Sequence, residues 1–406
     1  MKIAIDISQI VYGTGVSRYS ENLVKALLQV DNKNQYILLA SSLRSYGKLA
    51  AFKEELENYP NVEFKFSKLP PSILEFLWNR LHTYPIEKMV GPVDIFHSSD
   101  WLEPPVMSKA TKKVTTVHDM ISYLFPSSMH PKIISNQKRR MALVKKESDA
   151  IIADSKTTKD DVVKFLEIPE EKVKVIPLAA SEDFKPQNDE FVENTMAKYK
   201  LKKPYILSVA TQEPRKNLQK LLDAFEQVLK VKPDANLVLV GKYGWGGGLH
   251  TPGNVIWTNY VPEEDLVNLY SGCQVFVYPS LYEGFGLPIL EAMACGAPVI
   301  TSNNSSMEEV GKNAAILVDP RNEKQIAKAI EFVLNLNGEN YEKMKHASIS
   351  RAKEYSWEKT AKDTLKLYED LVKESETQDD LVYDHQNNRY NPDEQEEISP
   401  DNSSIE

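Results

Sequence analysis

Short apolar segments of strand length alternate with amphipathic segments of helix length through most of the 406-residue chain. Most of the short segments are apolar at every position rather than at every second one, which is typical of strands buried on both faces. The pattern therefore predicts an α/β fold in which helices cover both sides of a parallel sheet. The strands predicted in the first half are Lys2–Ser8, Tyr36–Ser41, Val62–Ser67, Asp94–Ser99, Lys113–His118, Ala150–Ser155 and Val173–Ala179.

The alternation breaks at residues 181–203, which are polar and charged and have Pro186 and Pro204 near their ends. We interpret this segment as a linker with some local helix. The alternation then resumes, so the sequence predicts two α/β domains in tandem, at residues 1–185 and 200–355. Ligands of such sheets bind beyond the carboxyl ends of the strands, which makes a cleft between two facing sheets the expected site. The second series of predicted strands is Tyr205–Ala210, Leu237–Gly241, Val255–Val261, Gln274–Ser280, Ala297–Ser302 and Ala315–Val318.

The chain ends in two segments of different character. Ser356 is a good helix cap, and we expect the helix of residues 356–373 to pack back on the first domain. Residues 374–406 contain eleven acidic residues and one arginine and show no apolar periodicity, so they are predicted to form a disordered acidic tail. Since the whole chain has a net charge of −9, the remainder is near neutral and offers no surface for nucleic acid.

Composition narrows the class of protein further. Cys273 and Cys295 lie in apolar surroundings, and the seven histidines show no spacing typical of metal ligands, so neither a disulfide scaffold nor a metal site is expected. No apolar stretch reaches the roughly 18 residues that a membrane span needs. Asp6 interrupts the apolar N-terminus, which indicates a strand rather than a signal peptide. We therefore expect a cytoplasmic protein.

The segment from Tyr278 to Ile300 reads as strand, glycine turn, helix, turn and strand. Glu283 and Glu291 are eight residues apart, about two helical turns, so both carboxylates can face the same side. Gly284 and Gly286 leave the backbone bare at the start of the helix, where free amide groups form a ready site for an anion or a hydroxyl. The two glutamates taken alone could be no more than a capping pair for the helix. The two glycines have no capping purpose, so capping does not explain the whole segment.

The residues from Glu283 to Ile300 (Glu-Gly-Phe-Gly-Leu-Pro-x-x-Glu-Ala-Met-Ala-Cys-Gly-x-Pro-Val-Ile) resemble the donor-site motif of retaining glycosyltransferases of the GT4 family, which have the GT-B fold. The resemblance implies two Rossmann-like domains that face each other across a cleft. It implies that Glu283 holds hydroxyls of the transferred sugar and that Glu291 holds the ribose of the nucleotide. The backbone amides implied to bind the sugar and the diphosphate are those of Gly284, Phe285, Gly286 and Leu287.

A basic turn follows the first predicted strand of the second domain. Arg215 and Lys216 are adjacent cations that suit a diphosphate leaving group, although a solvated charged turn would show the same pattern. The turn resembles the family's phosphate-binding turn, which implies that Lys216, and more weakly Arg215, bind the diphosphate. Thr211, assigned to the substrate site, stands where many relatives have a further arginine, and Arg18 is a candidate to replace that charge.

Two loops of the first domain complete the predicted site. Gly13 and Gly15 allow close approach of a ligand, and their loop resembles the family's first loop, which lies against the donor phosphates and the acceptor. It is not a full dinucleotide fingerprint, because Arg18 stands at the third glycine position. His118 ends a predicted strand and, by the resemblance, contacts the transferred sugar, whereas a lone histidine could also be structural. Asp119 could face the cleft beside His118 or could equally orient this loop.

Two further segments carry weaker signals. Tyr260 and Val261 resemble the turn that holds the nucleotide base, chiefly through backbone groups. Residues 132–146 form a predicted basic helix that includes Arg139 and Arg140. Such a helix suits an anionic membrane surface, where lipid-linked acceptors are found, and it suits a solvated face equally well.

Together these residues predict retaining transfer of a hexose, mannose or another, from a GDP- or UDP-sugar to a hydroxyl of a glycan or lipid-linked acceptor. The predicted catalytic residues are Glu283, His118, Lys216 and Arg215, and no cofactor or metal is expected because cations and amides would stabilise the leaving diphosphate. The alternatives are a nucleotide-sugar epimerase or a pyridoxal-phosphate phosphorylase on the same plan, and a sugar-nucleotide sensor without catalysis. The sequence leaves the acceptor, the sugar, the linkage and the oligomeric state open.

Overall fold

Two parallel β-sheets form the centres of the computed structural model, which describes residues 1–42, 46–242, 244 and 248–387. The strands of the first sheet are β1 (Lys2–Asp6), β2 (Gln35–Ser41), β3 (Val62–Ser67), β4 (Ile95–Ser99), β5 (Lys112–Val117), β6 (Ala150–Ala153) and β7 (Val173–Val175). Those of the second sheet are β8 (Tyr205–Val209), β9 (Asn236–Val240), β10 (Val255–Asn259), β11 (Val275–Tyr278), β12 (Val299–Ser302) and β13 (Ala315–Val318). The α/β fold predicted from the sequence is confirmed.

The helices connect successive strands and cover the faces of both sheets. Those before the second sheet are α1 (Gly15–Val30), α2 (Tyr46–Glu55), α3 (Pro71–Glu75), α4 (Glu87–Val90), α5 (Ile121–Leu124), α6 (Pro131–Glu147), α7 (Lys156–Leu166) and α8 (Asp189–Lys198). The later ones are α9 (Leu218–Val231), α10 (Glu263–Gly272), α11 (Leu287–Ala294), α12 (Ser305–Gly311), α13 (Glu323–Leu334), α14 (Gly338–Ala352) and α15 (Trp357–Asn387).

Successive apolar residues of the strands are buried, such as Ile3 and Ala4 in β1 and Leu237 and Val238 in β9, all 0% exposed. Because neighbouring residues of a strand point to opposite faces, both faces of each sheet are covered by helices. This burial explains why the strand segments are apolar at every position.

The strand order reverses once within each sheet. The orders are β3-β2-β1-β4-β5-β6-β7 and β10-β9-β8-β11-β12-β13, so the reversals lie between β1 and β4 and between β8 and β11. Connections leave to opposite sides of the sheet at such a point and open a crevice at the carboxyl ends of the strands. Most of the predicted site residues lie in the connections at these ends, whereas Gly15 and Leu287 begin helices α1 and α11 and Glu291 lies within α11.

Helix α8 lies within the segment predicted as a linker and packs on the second domain. Its Lys198 Nζ lies 2.5 Å from Asp265 Oδ2 of α10, and Asn268 Nδ2 of α10 donates to Thr195 Oγ1 at 3.0 Å. These bonds attach the segment to the second sheet and its helices.

Helix α15 returns to the first domain. Thr360 Oγ1 donates to the Pro177 carbonyl at 2.7 Å, and Tyr368 Oη lies 2.6 Å from His97 Nδ1 of β4. The helix therefore joins the last part of the chain to the first sheet.

The same helix continues to Asn387, so the prediction of disorder from residue 374 onward is wrong for residues 374–387. No glycine or proline interrupts this stretch, and glutamate, glutamine and leucine favour helix, so its acidic charge does not end the helix. Residues 388–406 of the predicted tail lie outside the described residues.

Candidate active site in the cleft

Glu283 is the centre of a buried polar cluster beyond the carboxyl end of β11. Its Oε1 accepts hydrogen bonds from Ser280 Oγ at 2.6 Å, Lys216 Nζ at 2.8 Å and Tyr278 Oη at 3.0 Å. Its Oε2 lies 2.8 Å from a guanidinium nitrogen of Arg215. These four partners fix the orientation of a carboxylate that is 10% exposed.

The two neighbouring cations decide the charge state of Glu283. Burial by itself would raise the pKa of this carboxyl group, but Arg215 and Lys216 lower it to about 2. Burial lowers the pKa of Lys216, although Glu283 opposes that change. Burial would also lower the pKa of Arg215, but the carboxylate of Glu283 raises it. Arg215 also lies 3.3 Å from Glu213 Oε2, so two cations face two carboxylates. Both cations are placed where an anionic ligand in the cleft could contact them.

The basic turn between β8 and α9 is fastened to the end of β11. Asn217 takes a left-handed conformation, with φ of 60°, which asparagine tolerates better than most residues. Its Nδ2 donates to the carbonyls of Pro279 at 2.9 Å and Pro320 at 2.7 Å. Thr211 precedes the turn, and within the described part of the chain its hydroxyl makes no hydrogen bond, while its carbonyl accepts one from the Glu213 amide at 2.8 Å.

Gly284 touches the first domain directly. A Cβ atom at this position would lie 1.9 Å from the carbonyl oxygen of His118. The Gly284 carbonyl accepts hydrogen bonds from Ser155 Oγ at 2.6 Å and Thr158 Oγ1 at 3.0 Å. The contact between the domains therefore demands glycine here, whatever a ligand requires.

The rest of this loop divides between core and cleft. Gly286, with φ of 91°, precedes the first residue of α11, Leu287, which is partly buried. Phe285 is 6% exposed, and its ring meets that of Tyr355 edge to face at 5.8 Å. The Phe285 side chain thus belongs to the core, so only its backbone is available to a ligand.

Glu291 is paired with a residue of the other domain. Arg18 of α1 donates to Glu291 Oε1 and lies 3.0 Å from Glu263 Oε2, and Tyr270 Oη donates to Glu291 Oε2 at 3.2 Å. Burial raises the pKa of Glu291, and Arg18 opposes that rise. Arg18 is therefore held at Glu291 rather than beside Lys216.

His118, beyond the end of β5, is held by a buried carboxylate. Its Nδ1 lies 2.7 Å from Asp154 Oδ2, and its ring meets the Tyr19 ring edge to face at 4.7 Å. Burial would lower the pKa of His118, but Asp154 raises it. Nε2 is buried and has no hydrogen-bond partner among the described residues, so its hydrogen-bonding capacity is unused within that part of the chain.

The first loop leads into α1. Gly13 has a left-handed φ of 65° and Gly15 is the first residue of the helix. Among the residues that the structure describes, nothing would lie within 4 Å of a Cβ atom at Gly15. Packing against those residues therefore does not explain glycine at residue 15.

The predicted base-binding turn follows β10. Tyr260 is 67% exposed, and its ring lies 5.7 Å from Lys242 Nζ. Val261 is 5% exposed and belongs to the core. Tyr260 could meet a ligand with its ring, whereas Val261 could do so only with its backbone.

A cavity of 1090 Å³ lies in the cleft, a volume large enough for ligand binding. Asp100, Trp101 and Asp119 line it from the first domain, and Glu213 and Arg215 from the second. Asp100 follows β4 with φ of 69°, and such backbone strain tends to persist at functional sites. Burial raises the pKa of Asp100 to about 6.

Further bonds join the domains beside this cavity. Glu309 of α12 accepts from the backbone amides of Lys156 at 2.9 Å and Thr157 at 2.8 Å, the first two residues of α7. Tyr282 Oη donates to Asp161 Oδ2 at 2.5 Å. The two domains are thus in a closed arrangement.

The predicted basic helix corresponds to α6, but its charges do not all face outward. Arg140 is 2% exposed, donates to the Thr116 carbonyl at 3.0 Å and lies 3.6 Å from Glu103. Arg139 is paired with Glu75 at 3.0 Å. Counting Arg140 in a basic face is therefore wrong, because it binds inside the first domain, and the exposed cations are Lys132, Lys138, Lys145 and Lys146.

Sequence reasoning missed several residues that position this site. Those nearest the predicted ones are Tyr278 and Ser280 at Glu283, Tyr270 at Glu291, Asp154 at His118, and Ser155 and Thr158 at Gly284. Ser280 and Ser155 each follow a strand at its carboxyl end, and this position was the available signal.

Within the described ranges, no group of three or more histidine, cysteine, aspartate and glutamate residues could hold a metal ion. None of the helices described is long and apolar enough to cross a membrane.

Comparison with known proteins matches both halves of the chain to glycosyltransferases. A family model described as glycosyl transferases group 1 matches residues 192–354, and one described as glycosyltransferase family 4 matches residues 13–183. O-antigen chain mannosyltransferase B of Escherichia coli is 30% identical over 91% of this chain and 99% of its own. O-antigen chain mannosyltransferase RfbU of Salmonella typhimurium is 26% identical over 80% of this chain and 88% of its own.

Solved structures share the fold. Sucrose-phosphate synthase from Thermosynechococcus elongatus superimposes with a TM-score of 0.68 at 18% identity, covering 91% of this chain and 99% of that one. HepE from Anabaena, solved in complex with UDP and glucose, has a TM-score of 0.66 at 17% identity and covers 91% of this chain and 100% of its own. At these identities the likeness establishes the two-domain architecture.

Proposed function

The chain belongs to family 4 of the glycosyltransferases, and on that premise we propose that it transfers a mannosyl residue from a nucleoside diphosphate donor to a growing polysaccharide, with retention at the anomeric carbon. It is a nucleotide-sugar glycosyltransferase of glycan synthesis; an epimerase, a phosphorylase or an inactive sensor is not favoured. The choice of mannose rests on the two O-antigen mannosyltransferases among its relatives. The observation that carries the proposal is the ionised Glu283 between Lys216 and Arg215, in a cleft that the first domain closes with His118.

The donor would lie along the carboxyl edge of the second sheet. Glu283 would accept hydroxyls of the mannosyl residue, and Glu291 those of the ribose. Backbone amides of residues 284–287, at the N-terminus of α11, would bind the diphosphate. The guanine or uracil base would lie at Tyr260 and Val261, with Thr211 beside the nucleotide.

Binding of the diphosphate would exchange ionic partners within the cluster. Lys216 and Arg215 both contact Glu283 in the closed structure. A diphosphate offers them stronger charge, and Glu283 would then be free to accept sugar hydroxyls. The cluster is therefore preorganised for a donor that carries both groups.

In the reaction, the bond between the anomeric carbon and the phosphate oxygen breaks, and a bond to the acceptor oxygen forms on the same face. The hydroxyl proton leaves with the nucleoside diphosphate. Lys216 and Arg215 would stabilise the charge on the leaving group, and a donor at His118 Nε2 would orient the transferred sugar. Gly13 and Gly15 would allow the loop before α1 to approach the phosphates and the acceptor.

The acceptor would enter through the large cavity lined by Asp100 and Trp101. A glycan carried on a lipid is the expected acceptor, because α6, whose first turn lines this cavity, carries four exposed lysines along its length that could meet an anionic membrane surface. Co-sedimentation with phosphatidylglycerol vesicles measures this contact. Replacement of the four lysines by glutamine should abolish it, and unchanged sedimentation would contradict it.

A transfer assay tests the proposal. The protein is incubated with a mannoside acceptor and GDP-mannose, UDP-mannose or UDP-glucose, and NMR of the product reports the sugar and its anomeric configuration. We expect an α-mannoside from GDP-mannose. Separately, GDP, UDP and ADP are compared for thermal stabilisation, since a ligand at 100 times its dissociation constant adds about 2.7 kcal/mol. Transfer of glucose alone, or an inverted product, would contradict the proposal.

A further inference from the structure

A smaller cavity of 260 Å³ opens beside the large one, inside the first domain. It lies between the turn after β1, helix α3 and helix α6. Tyr12, Trp101 and Ile133 line both cavities, so the two are adjacent and share a wall. At about 30 Å³ per water molecule, the smaller cavity has room for roughly eight or nine waters, which is the scale of one sugar ring with its hydroxyls.

The lining of this cavity combines aromatic and aliphatic side chains with polar groups. Tyr12, Trp101 and Leu102 form apolar walls, while Ser72 and Lys132 stand at its polar rim. Aromatic faces carry a negative quadrupole, which attracts the C–H face of a sugar ring. A pure lipid tail would leave the polar part of this lining without partners.

Gln9 adds an unsatisfied acceptor at the same place. This residue lines the cavity and is 2% exposed. Its Nε2 donates to the Ser99 carbonyl at 2.7 Å, whereas its Oε1 is buried and has no hydrogen-bond partner among the residues that the structure describes. A buried oxygen without a donor is costly, and a ligand hydroxyl is a donor of the kind that this oxygen lacks.

The strained residue before Trp101 supports a role in binding. Asp100, which follows β4, has a backbone φ of 69°, and the next residue, Trp101, lines both cavities. Backbone strain of this kind persists only where the surrounding structure holds it in place, and such residues cluster at binding and active sites.

We propose that the smaller cavity is a saccharide subsite, which binds the second sugar of the acceptor while the terminal sugar lies in the large cavity. This inference rests on the proposed function, since it assumes a glycan acceptor. Its consequence is a preference for acceptors with at least two sugar residues. The stacked ring and one hydrogen bond would lower the KM for such acceptors by about tenfold, or about 1.4 kcal/mol.

The test compares acceptors that differ only in chain length. Octyl mannoside and octyl mannobioside are assayed with the wild type and with Ser72→Phe, which places a ring from an exposed rim position over the cavity. We expect the wild type to favour the disaccharide by about tenfold in kcat/KM and Ser72→Phe to lose that preference. Ser350→Phe, an exposed serine of α14 in the second domain, is the matched control and should retain it.

A second variant examines the hydrogen bond. Gln9→Met keeps the length of the side chain and removes its polar end, so it should also reduce the preference. Its thermal midpoint is measured beside the kinetics, and Ser72→Phe remains decisive if Gln9→Met is unstable. Equal use of both acceptors by the wild type, or an intact preference in Ser72→Phe, would overturn the subsite.

Two further outcomes separate the subsite from the function. Transfer to neither acceptor would count against the proposed function itself. Methyl glycosides of the same sugars are assayed as well. If kcat/KM depends on the alkyl group and not on the number of sugars, the cavity binds the lipid part of the acceptor and the saccharide subsite is wrong.

Discussion

Arg18 of the first domain and Glu291 of the second form an ion pair across the cleft. Both oxygens of Glu291 are engaged, one by Arg18 and the other by Tyr270. In the proposed function Glu291 accepts the ribose hydroxyls, so the nucleotide site holds a link between the domains before any ligand arrives. This link favours the closed arrangement in the empty protein.

Removal of Arg18 should therefore loosen the closed arrangement. In Arg18→Gln the cross-domain charge is lost, and the equilibrium should shift toward separated domains. Small-angle scattering of the ligand-free protein should show a modestly larger radius of gyration. Lys25→Gln is the matched control, because Lys25 lies on the same helix and pairs with Glu55 inside the first domain. Identical scattering from both variants would contradict the link.

Glu283→Gln should nearly abolish transfer. The amide keeps the shape of the side chain but removes the carboxylate at residue 283 that contacts Lys216 and Arg215. It also weakens the hydrogen bonds that would hold the sugar hydroxyls. We expect kcat/KM to fall at least about 100-fold. Glu308→Gln, an exposed residue of α12, should retain activity. A Glu283→Gln protein with wild-type turnover would remove this residue from the catalytic set.

The acid stability of the protein should also depend on Glu283. Its pKa falls from an ordinary 4.5 to about 2 on folding, so its charge contributes stability that is complete above pH of about 4.5 and is lost as the pH falls toward 2. The free energy of unfolding should differ between the wild type and Glu283→Gln at pH 7, and the difference should narrow below pH of about 4.5. Urea titrations at several pH values measure it. A difference independent of pH would be inconsistent with an ionised Glu283.

Gly284→Ala should separate the donor loop from the first domain. The new methyl group would lie 1.9 Å from the His118 carbonyl oxygen, so the loop or the domain must move. A displacement of about 1 Å in a catalytic arrangement can cost about 100-fold in rate, and we expect a loss of that order in kcat. Gly253→Ala is the control, because a Cβ atom there meets nothing within 4 Å in the described part of the chain. Full activity in Gly284→Ala would show that closure is not needed for transfer.

Gly15→Ala should raise the stability of the protein and weaken its binding of a substrate. The site has room for the methyl group and lies in the first turn of α1, so the unfolding free energy should rise by about 0.5 kcal/mol. The KM for the donor or the acceptor should rise severalfold, because a ligand would meet the new methyl group. An unchanged KM for both would mean that no substrate approaches this residue closely.

The sheets could be predicted because each buried strand is one continuous apolar segment of the sequence. The strand, glycine turn and helix around Glu283 could be predicted because their residues are consecutive in the chain, while the binding of a donor there stays a prediction. Partners from the other domain could not be predicted. Ser155 and Thr158 bind the Gly284 carbonyl, but hydroxyl residues at a strand end have many uses. The sequence also does not show whether a residue would contact a ligand through its side chain or through its backbone. Phe285 and Val261 were assigned to the substrate site, and their side chains lie in the core.

The carboxylate of Glu309 caps the first turn of α7 from the opposite domain. When the domains part, two amide groups at the start of that helix lose their acceptor, and a missing cap costs about 1 kcal/mol. Opening of the cleft is thereby coupled to fraying of a helix end on the protein surface. Hydrogen–deuterium exchange at the amides of Lys156 and Thr157 would consequently report how often the empty enzyme opens, without any attached probe or bound substrate.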